Sequence, residues 1–214
     1  MNNSTKIAKE SVISFSGMGM GQILRYMFTT LLARWAGVEL LGIYSISNAV
    51  TRIIEGIGKL GLDQGSLRGV SREEENLGKQ SVILSALKMG AISGLLSMLI
   101  QIALAGWLSE NVFHESSLLA KVIAIHALSL PFYIIIHISA FSTQAFKLLK
   151  YKIVVTEIQN PLILLLAMIV CYFFYSAESA IIIPVVLSAV LGCITITIFL
   201  KKVSGINILS VNKG

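Results

Sequence analysis

Six blocks of apolar residues follow one another along the chain, and each is long enough to cross a bilayer as a helix. The hydrocarbon core of a bilayer takes about 20 helical residues to cross. The predicted spans cover residues 11–34, 40–62, 82–108, 118–141, 153–175 and 179–200. Because the apolar residues come in long runs rather than one-sided stripes, the pattern favours lipid as the solvent. It predicts an all-α membrane protein with one transmembrane domain over residues 1–214, a six-helix bundle.

The composition agrees with a membrane location. Hydrophobic residues make up 55% of the chain and charged residues 13%, too few charges to cover the surface of a soluble domain. The net charge of +6 comes from basic residues that flank the apolar blocks instead of forming one patch, which argues against nucleic acid as a partner. Both cysteines lie in apolar segments and the three histidines are scattered, so no metal or cofactor is predicted.

The connections between the spans differ in charge from one side to the other. One set carries eleven basic residues: Lys6, Lys9, Arg68, Arg72, Lys79, Lys147, Lys150, Lys152, Lys201, Lys202 and Lys213. The other set carries only Arg34 and Lys121, and Trp35 and Trp107 end two spans on that side. Basic loops stay in the cytosol and tryptophan favours the membrane interface, so both termini are predicted to be cytosolic.

Four charged residues lie inside the first two spans: Arg25, Arg52, Glu55 and Lys59. At about 1.5 Å per residue, both arginines come out near the middle of a core of about 30 Å. A charge at that depth costs about 2.5–3.5 kcal/mol even on the lenient insertion scale, so it should face protein or water.

The spacing of the polar residues places them on shared helix faces. Asn48, Arg52, Glu55 and Lys59 follow one another at intervals of three and four, and Gln22, Arg25 and Thr29 repeat the pattern in the first span. Two antiparallel helices are therefore predicted to line one polar cavity. Alternatively, Glu55 pairs with Arg52 and Lys59 within its own helix and serves only packing.

Three basic residues against one acid make the predicted cavity cationic. Arginine matches phosphate through its planar fork of donors, so the cavity is predicted to take an anionic solute or head group. Arg25, Arg52 and Lys59 are the candidate substrate-binding residues, and Gln22, Asn48 and Glu55 are the candidate polar lining. The other polar residues of the spans have plainer interpretations: His126 and His137 as packed or hydrogen-bonded, and Glu157 as interfacial.

Pairs of glycines predict where helices approach each other closely. Gly17 and Gly21 are four residues apart in the first span, and Gly90 and Gly94 repeat the spacing in the third. Small residues at this spacing let the backbones of two membrane helices come together.

Three short motifs resemble the N-terminal signature of polysaccharide flippases, the O-antigen and capsule exporters of the multidrug/oligosaccharidyl-lipid/polysaccharide superfamily. They are TTLLARWAG at residues 29–37, LGIYS at 41–45, and GLD at 61–63 followed by Arg68. The resemblance covers about residues 10–72, and Trp35–Ala36 departs from the usual pattern. The remainder matches in hydropathy and loop charge only.

The resemblance implies a fold and a function. Members of this superfamily are two helical bundles around a central, often cationic cavity, which opens to either side in turn. They move undecaprenyl-pyrophosphate-linked sugar units across the bacterial inner membrane and are not enzymes. By this resemblance the partner is a lipid-linked oligosaccharide among membrane lipids, with the pyrophosphate held by the arginines and the sugars by polar side chains.

The predicted number of helices differs from that of the family, so alternative functions stay open. Members carry twelve to fourteen helices, so six look like one N-terminal lobe that needs either a C-terminal lobe or a homodimer partner. A multidrug antiporter of the same superfamily prefers an acidic cavity. A non-transporting partner subunit is a further alternative. A membrane-embedded sugar or phosphosugar transferase needs spaced acidic residues at the surface, and Glu73–Glu75 form the one acidic cluster.

Overall fold

A computed structural model describes residues 3–115 and 117–205, with side chains from Val12 onward. Within these ranges the chain is helical and contains no strand. Its α-helices are α1 (Asn3–Trp35), α2 (Val38–Gly58), α3 (Leu62–Arg72), α4 (Asn76–Trp107), α5 (Ser117–His126), α6 (Leu130–Ala145), α7 (Leu149–Ile153), α8 (Asn160–Phe174) and α9 (Ser179–Ser204). The side chains of Lys6 and Lys9, and all of Lys213, lie outside the described residues.

Four continuous helical segments are long and apolar enough to cross a membrane: Asn76–Val112, Ser117–Ala145, Leu149–Phe174 and Ser179–Ser204. They correspond to the last four predicted spans and support the prediction of a helical membrane protein. The helices α1 and α2 are less apolar because polar residues interrupt them, among them Gln22, Arg25, Asn48, Arg52 and Glu55. The first two spans therefore stay a prediction.

Two of the long segments change helix type in their interior, and each has a proline nearby. A 3₁₀ turn at Ala127–Ser129 separates α5 from α6, and Pro131 is in the first turn of α6. A π-helical turn at Val154–Gln159 separates α7 from α8, where Pro161 is in the first turn. Proline lacks a backbone donor and so breaks the regular bonding of the turn before it.

The connection between α2 and α4 was predicted as a loop, and this was wrong over most of its length. Residues Leu62–Arg72 form α3, which follows a sharp bend at Leu60 and Gly61, both with positive φ. Buried Val70 of α3 packs with Ile83 of α4 and Leu200 of α9. A short amphipathic helix is hard to recognise from local pattern when only a few apolar residues mark its buried side.

The main core lies where α1, α2, α5, α8 and α9 meet. Its fully buried members include Leu32, Ile123, Met168 and Ile181. At the end of the core opposite α3, the ring of Trp35 stacks on Tyr172 at a centroid distance of 5.6 Å, and the Tyr172 hydroxyl donates to the Trp35 carbonyl. These contacts join the end of α1 to the end of α8.

The paired glycines lie at close helix contacts, as their spacing predicts. A Cβ on Gly21 would collide with the carbonyl oxygen of Glu157, and one on Gly17 with the side chain of Ile153. Gly90 and Gly94 likewise face α6, where a Cβ on Gly94 would come within 2.7 Å of the Pro131 Cα. The first pair brings α1 against α7 and the π-helical turn, and this contact shapes the site described next.

Candidate functional site

A cavity of about 460 Å³ opens between α1, α2, α6, the π-helical turn, α8 and α9. Its walls combine aromatic and aliphatic side chains with charged and amide groups. The polar and aromatic lining consists of Arg25, Phe28, Thr29, Tyr44, Ser45, Asn48, Thr51, Arg52, Glu55, Tyr133, His137, Thr156, Glu157, Asn160 and Ser188. The volume falls within the range of about 300–1,000 Å³ that is typical of small-ligand sites.

Arg25 is held by an ion pair with Glu157, which joins the first helix to the π-helical turn. The Arg25 Nη2 donates to the Glu157 Oε2 at 2.7 Å, and the side chains are 36% and 26% exposed. Gly21 lets α1 approach this turn, and Thr156 donates to the other carboxylate oxygen of Glu157 at 3.2 Å. Single π turns inside helices are frequent at functional sites. Both groups remain partly exposed to the cavity, so a competing ion can reach them.

Glu55 forms the second charged group of the wall. Its Oε1 lies 3.1 Å from the His137 Nε2 and 3.4 Å from the Lys59 Nζ. Glu55 is buried, with only 8% of its surface exposed, whereas the side chains of His137 and Lys59 are 31% and 22% exposed. The carboxylate therefore joins α2 to α6 and has two nitrogen donors on one oxygen.

Arg52 differs from the other charged groups of the cavity because its guanidinium forms no ion pair with any described residue. It is exposed, and it shares the cavity wall with the rings of Tyr44 and Tyr133. Asn48, one turn earlier on α2, lines the same wall. A guanidinium with free donors beside phenol and amide groups can bind an anion of the size of a phosphate.

The charge of the cavity differs from the prediction. The sequence predicted three cations against one acid, whereas the cavity wall holds Arg25 and Arg52 against Glu55 and Glu157. Lys59 bonds to Glu55 but is absent from the cavity lining. The prediction of an excess of positive charge at the wall is therefore wrong. Arg52 is the cation of the wall that forms no ion pair with a described residue.

The six predicted site residues divide into two groups. Arg25, Asn48, Arg52 and Glu55 come together in the cavity wall. Gln22 is exposed on α1 and Lys59 points to Glu55, and neither lines the cavity. The alternative of pairing within one helix holds for Glu55 and Lys59, which are four residues apart.

Sequence reasoning missed Glu157, which was interpreted as interfacial, and it underweighted His137. The two side chains lie in the cavity because α6 and the π-helical turn face α1 and α2. The unpaired Arg25 was the available signal, since a mid-membrane arginine without an acid in its own helix needs one from another helix. Glu157 is the acid that it meets, 132 residues further along the chain.

A buried polar contact supports the cavity from behind. The Gln101 Nε2 donates to the Thr51 Oγ1 at 2.8 Å and to the Ile123 carbonyl at 2.9 Å. Gln101 is fully buried, and Thr51 is part of the cavity wall. These bonds tie α4 and α5 to the polar face of α2.

Among the described residues there is no group of three or more histidine, cysteine, aspartate or glutamate side chains that could hold a metal ion. The charged groups present can instead bind ions through arginine donors and carboxylate acceptors. No protein-family model matches the chain, and no curated protein or solved structure matches it significantly. The resemblance to polysaccharide flippases therefore stays a prediction.

Proposed function

We propose that this chain is a transport lobe that carries a lipid-linked oligosaccharide, with a pyrophosphate head group, across the cytoplasmic membrane. The observation that carries the proposal is the cavity wall, which contains Arg25 from α1 and Arg52 from α2. In a segment that crosses a membrane, charges of this kind mark a pathway for a polar substrate. The motif resemblance at residues 29–68 points to the same substrate class.

The proposed topology has six spans with both termini in the cytosol of a bacterium. The spans are α1, α2, α4, α5 with α6, α7 with α8, and α9. Support comes from the charge of the ends, since the ends of α3, α7 and α9 carry basic residues and the opposite ends carry Arg34 and Lys121. Basic residues of this kind are retained on the cytosolic side.

In the proposed mechanism the two arginines have different tasks. Arg52 has free donors and receives the anionic head group first. Arg25 binds the head group only when the anion displaces Glu157. The substrate therefore takes the place of the Glu157 carboxylate in an existing ion pair. Sugars contact Thr29, Asn48 and the tyrosine rings of the wall. Alternating access rocks one bundle against another, so the counterpart is either a C-terminal lobe or a second copy.

The experiment is a flipping assay in proteoliposomes with a fluorescent undecaprenyl-pyrophosphate oligosaccharide, quenched from outside. The protein is purified from its source membrane, so that any natural partner is retained. We expect Arg52→Gln to slow flipping at least tenfold, because a bidentate bond to phosphate is lost. Arg34→Gln is the matched control, since Arg34 is an exposed arginine at the end of α1, outside the cavity.

Two outcomes of this assay contradict the proposal. Flipping by Arg52→Gln at the wild-type rate removes the assigned role of Arg52. Absence of flipping by the wild-type protein, when a known flippase is active in the same liposomes, contradicts the transport function itself. The folded state of each variant is checked by size-exclusion chromatography before reconstitution.

A second candidate function is a cation antiporter of the same superfamily. The observation that favours it is the pair of carboxylates, Glu55 and Glu157, at the cavity wall, of which the second was not expected. A carboxylate beside a histidine, as at Glu55 and His137, can exchange a proton for a cation. This candidate predicts that organic cations are transported against a proton gradient and that Glu157→Gln abolishes transport. The flippase predicts that Glu157→Gln retains transport.

A further inference from the structure

Lys88 lies on the outward face of α4, away from the cavity, among apolar side chains. It is exposed, and its neighbours Met89 and Ile92 are 55% and 62% exposed. The segment that contains it, Asn76–Val112, is long and apolar enough to cross a membrane. A lysine at such a position buries its aliphatic stem against the apolar surface and extends its ammonium toward the lipid head groups.

The residues around Lys88 form a stripe that changes from polar to apolar along the helix. Ser81, Ser85 and Lys88 are separated by four and three positions, so they share one face of α4, and all three are exposed. Within the described part of the chain none of their side chains bonds to another group. The same face continues with exposed Ile92, Leu95, Leu96 and Leu99. A phospholipid has the same order of groups, a polar phosphate head group followed by apolar acyl chains.

Basic residues lie at the same end of the bundle as the polar end of this stripe. Gln80 of α4 donates to the Ser204 carbonyl at 3.1 Å, and Val70 of α3 packs against Ile83 and Leu200. The ends of α3 and α9 therefore lie beside the start of α4. The basic residues there are Arg68 and Arg72 on α3, Lys79 near the start of α4, and Lys201 and Lys202 at the end of α9. The acids at this end are Asp63 and the exposed run Glu73–Glu75, and none of these charged groups is in an ion pair within the described residues.

We propose that the stripe Ser81–Ser85–Lys88 binds the head group of an anionic phospholipid, whose acyl chain lies along Ile92 and Leu99. The Lys88 ammonium contacts the phosphate, and the serine hydroxyls supply further donors. Lys201 and Lys202 at the end of α9, a helix that contains no acidic residue, favour an anionic head group over a zwitterionic one. This site lies on the outer surface and does not depend on what the cavity transports.

The experiment titrates phosphatidylglycerol into the full chain in a neutral detergent and follows the thermal unfolding temperature. Phosphatidylcholine and inorganic phosphate are titrated separately. We expect phosphatidylglycerol to raise the Tm at a lower concentration than phosphatidylcholine or inorganic phosphate does. Lys88→Gln raises the midpoint of that titration about fivefold, the size of one basic contact to an anionic surface. Lys88→Arg keeps the charge and the midpoint.

The matched control is Lys121→Gln, because Lys121 is an exposed lysine near the start of α5, at the other end of the bundle. Its midpoint should equal that of the wild type. An unchanged midpoint for Lys88→Gln overturns the site. An equal shift for Lys121→Gln overturns it as well, since bulk charge then explains the response. Protection by phosphate alone, to the same Tm, shows that the surface binds a soluble anion and overturns the lipid assignment.

Discussion

The ion pair between Arg25 and Glu157 makes a prediction in which two substitutions act in opposite directions. If Glu157 occupies the donors that an anion needs, Glu157→Gln should tighten the binding of an anion in the cavity. Arg25→Gln should weaken it, because a cationic donor is lost. Both substitutions should lower the thermal stability, since each breaks the same contact between α1 and the π-helical turn.

The magnitude follows from the geometry. A hydrogen bond to a charged group contributes about 1.5–3 kcal/mol net. The Arg25 and Glu157 side chains are 36% and 26% exposed, which places this pair at the low end, about 1.5 kcal/mol. Since about 1.4 kcal/mol corresponds to a factor of ten, Glu157→Gln should lower the Kd up to about tenfold. Arg25→Gln should raise it by a similar factor.

The assay is isothermal titration of a short-chain prenyl pyrophosphate into the purified protein in detergent. Glu178→Gln is the matched control, because Glu178 is an exposed glutamate outside the cavity, and its Kd should equal that of the wild type. In the Arg25→Gln background, Glu157→Gln should change the Kd far less, as a double-mutant cycle requires for one shared interaction. Weaker binding in Glu157→Gln, comparable to that in Arg25→Gln, would refute the competition between Glu157 and the anion.

Two further predictions concern the helix contacts that shape the cavity, and thermal unfolding in detergent tests both. Gly21→Ala should destabilise the protein by about 1–3 kcal/mol, because the new Cβ would collide with the backbone of the π-helical turn. Gly19→Ala is the control, because its Cβ would enter open space and should leave the Tm equal or higher. Equal Tm values for the two variants would contradict the close contact at Gly21. Gln101→Leu should lower stability by about 0.6–1.7 kcal/mol through lost hydrogen bonds between helices. Gln22→Leu, at an exposed position, serves as its control, and an equal effect there would argue against a specific role for Gln101.

The helical membrane architecture could be predicted from local pattern with good precision for the last four spans. Long apolar runs leave a helix as the one way to satisfy backbone groups in lipid, so hydropathy and length suffice. The predicted boundaries at 179 and 200 lie close to α9 (Ser179–Ser204). The pattern failed at α3, where a bend at Leu60 and Gly61 starts a new helix inside what had been predicted as a loop. The packing of α3 against α4, through Val70 and Ile83, joins residues that the local pattern does not connect.

The candidate site was predictable where its residues share one helix and not where they meet across helices. The polar face of α2 follows from spacing, because positions three and four apart lie on the same side of any helix. The same spacing correctly paired Glu55 with Lys59. It could not indicate that Gln22 and Lys59 lie outside the cavity lining, because the surroundings of a helix face depend on which neighbours cover it.

The presence of membrane-type helices, and of charged residues within α1 and α2, follows from the sequence alone. Both properties depend on the energy of each residue in lipid and on helical periodicity, which are local quantities. Which charges meet depends on the tertiary fold: Glu157 pairs with Arg25 across 132 residues, and His137 pairs with Glu55 across the α2–α6 contact. The fold thereby determines that the cavity wall is balanced in charge, because electrostatic pairing depends on distances in space that no spacing along the chain records.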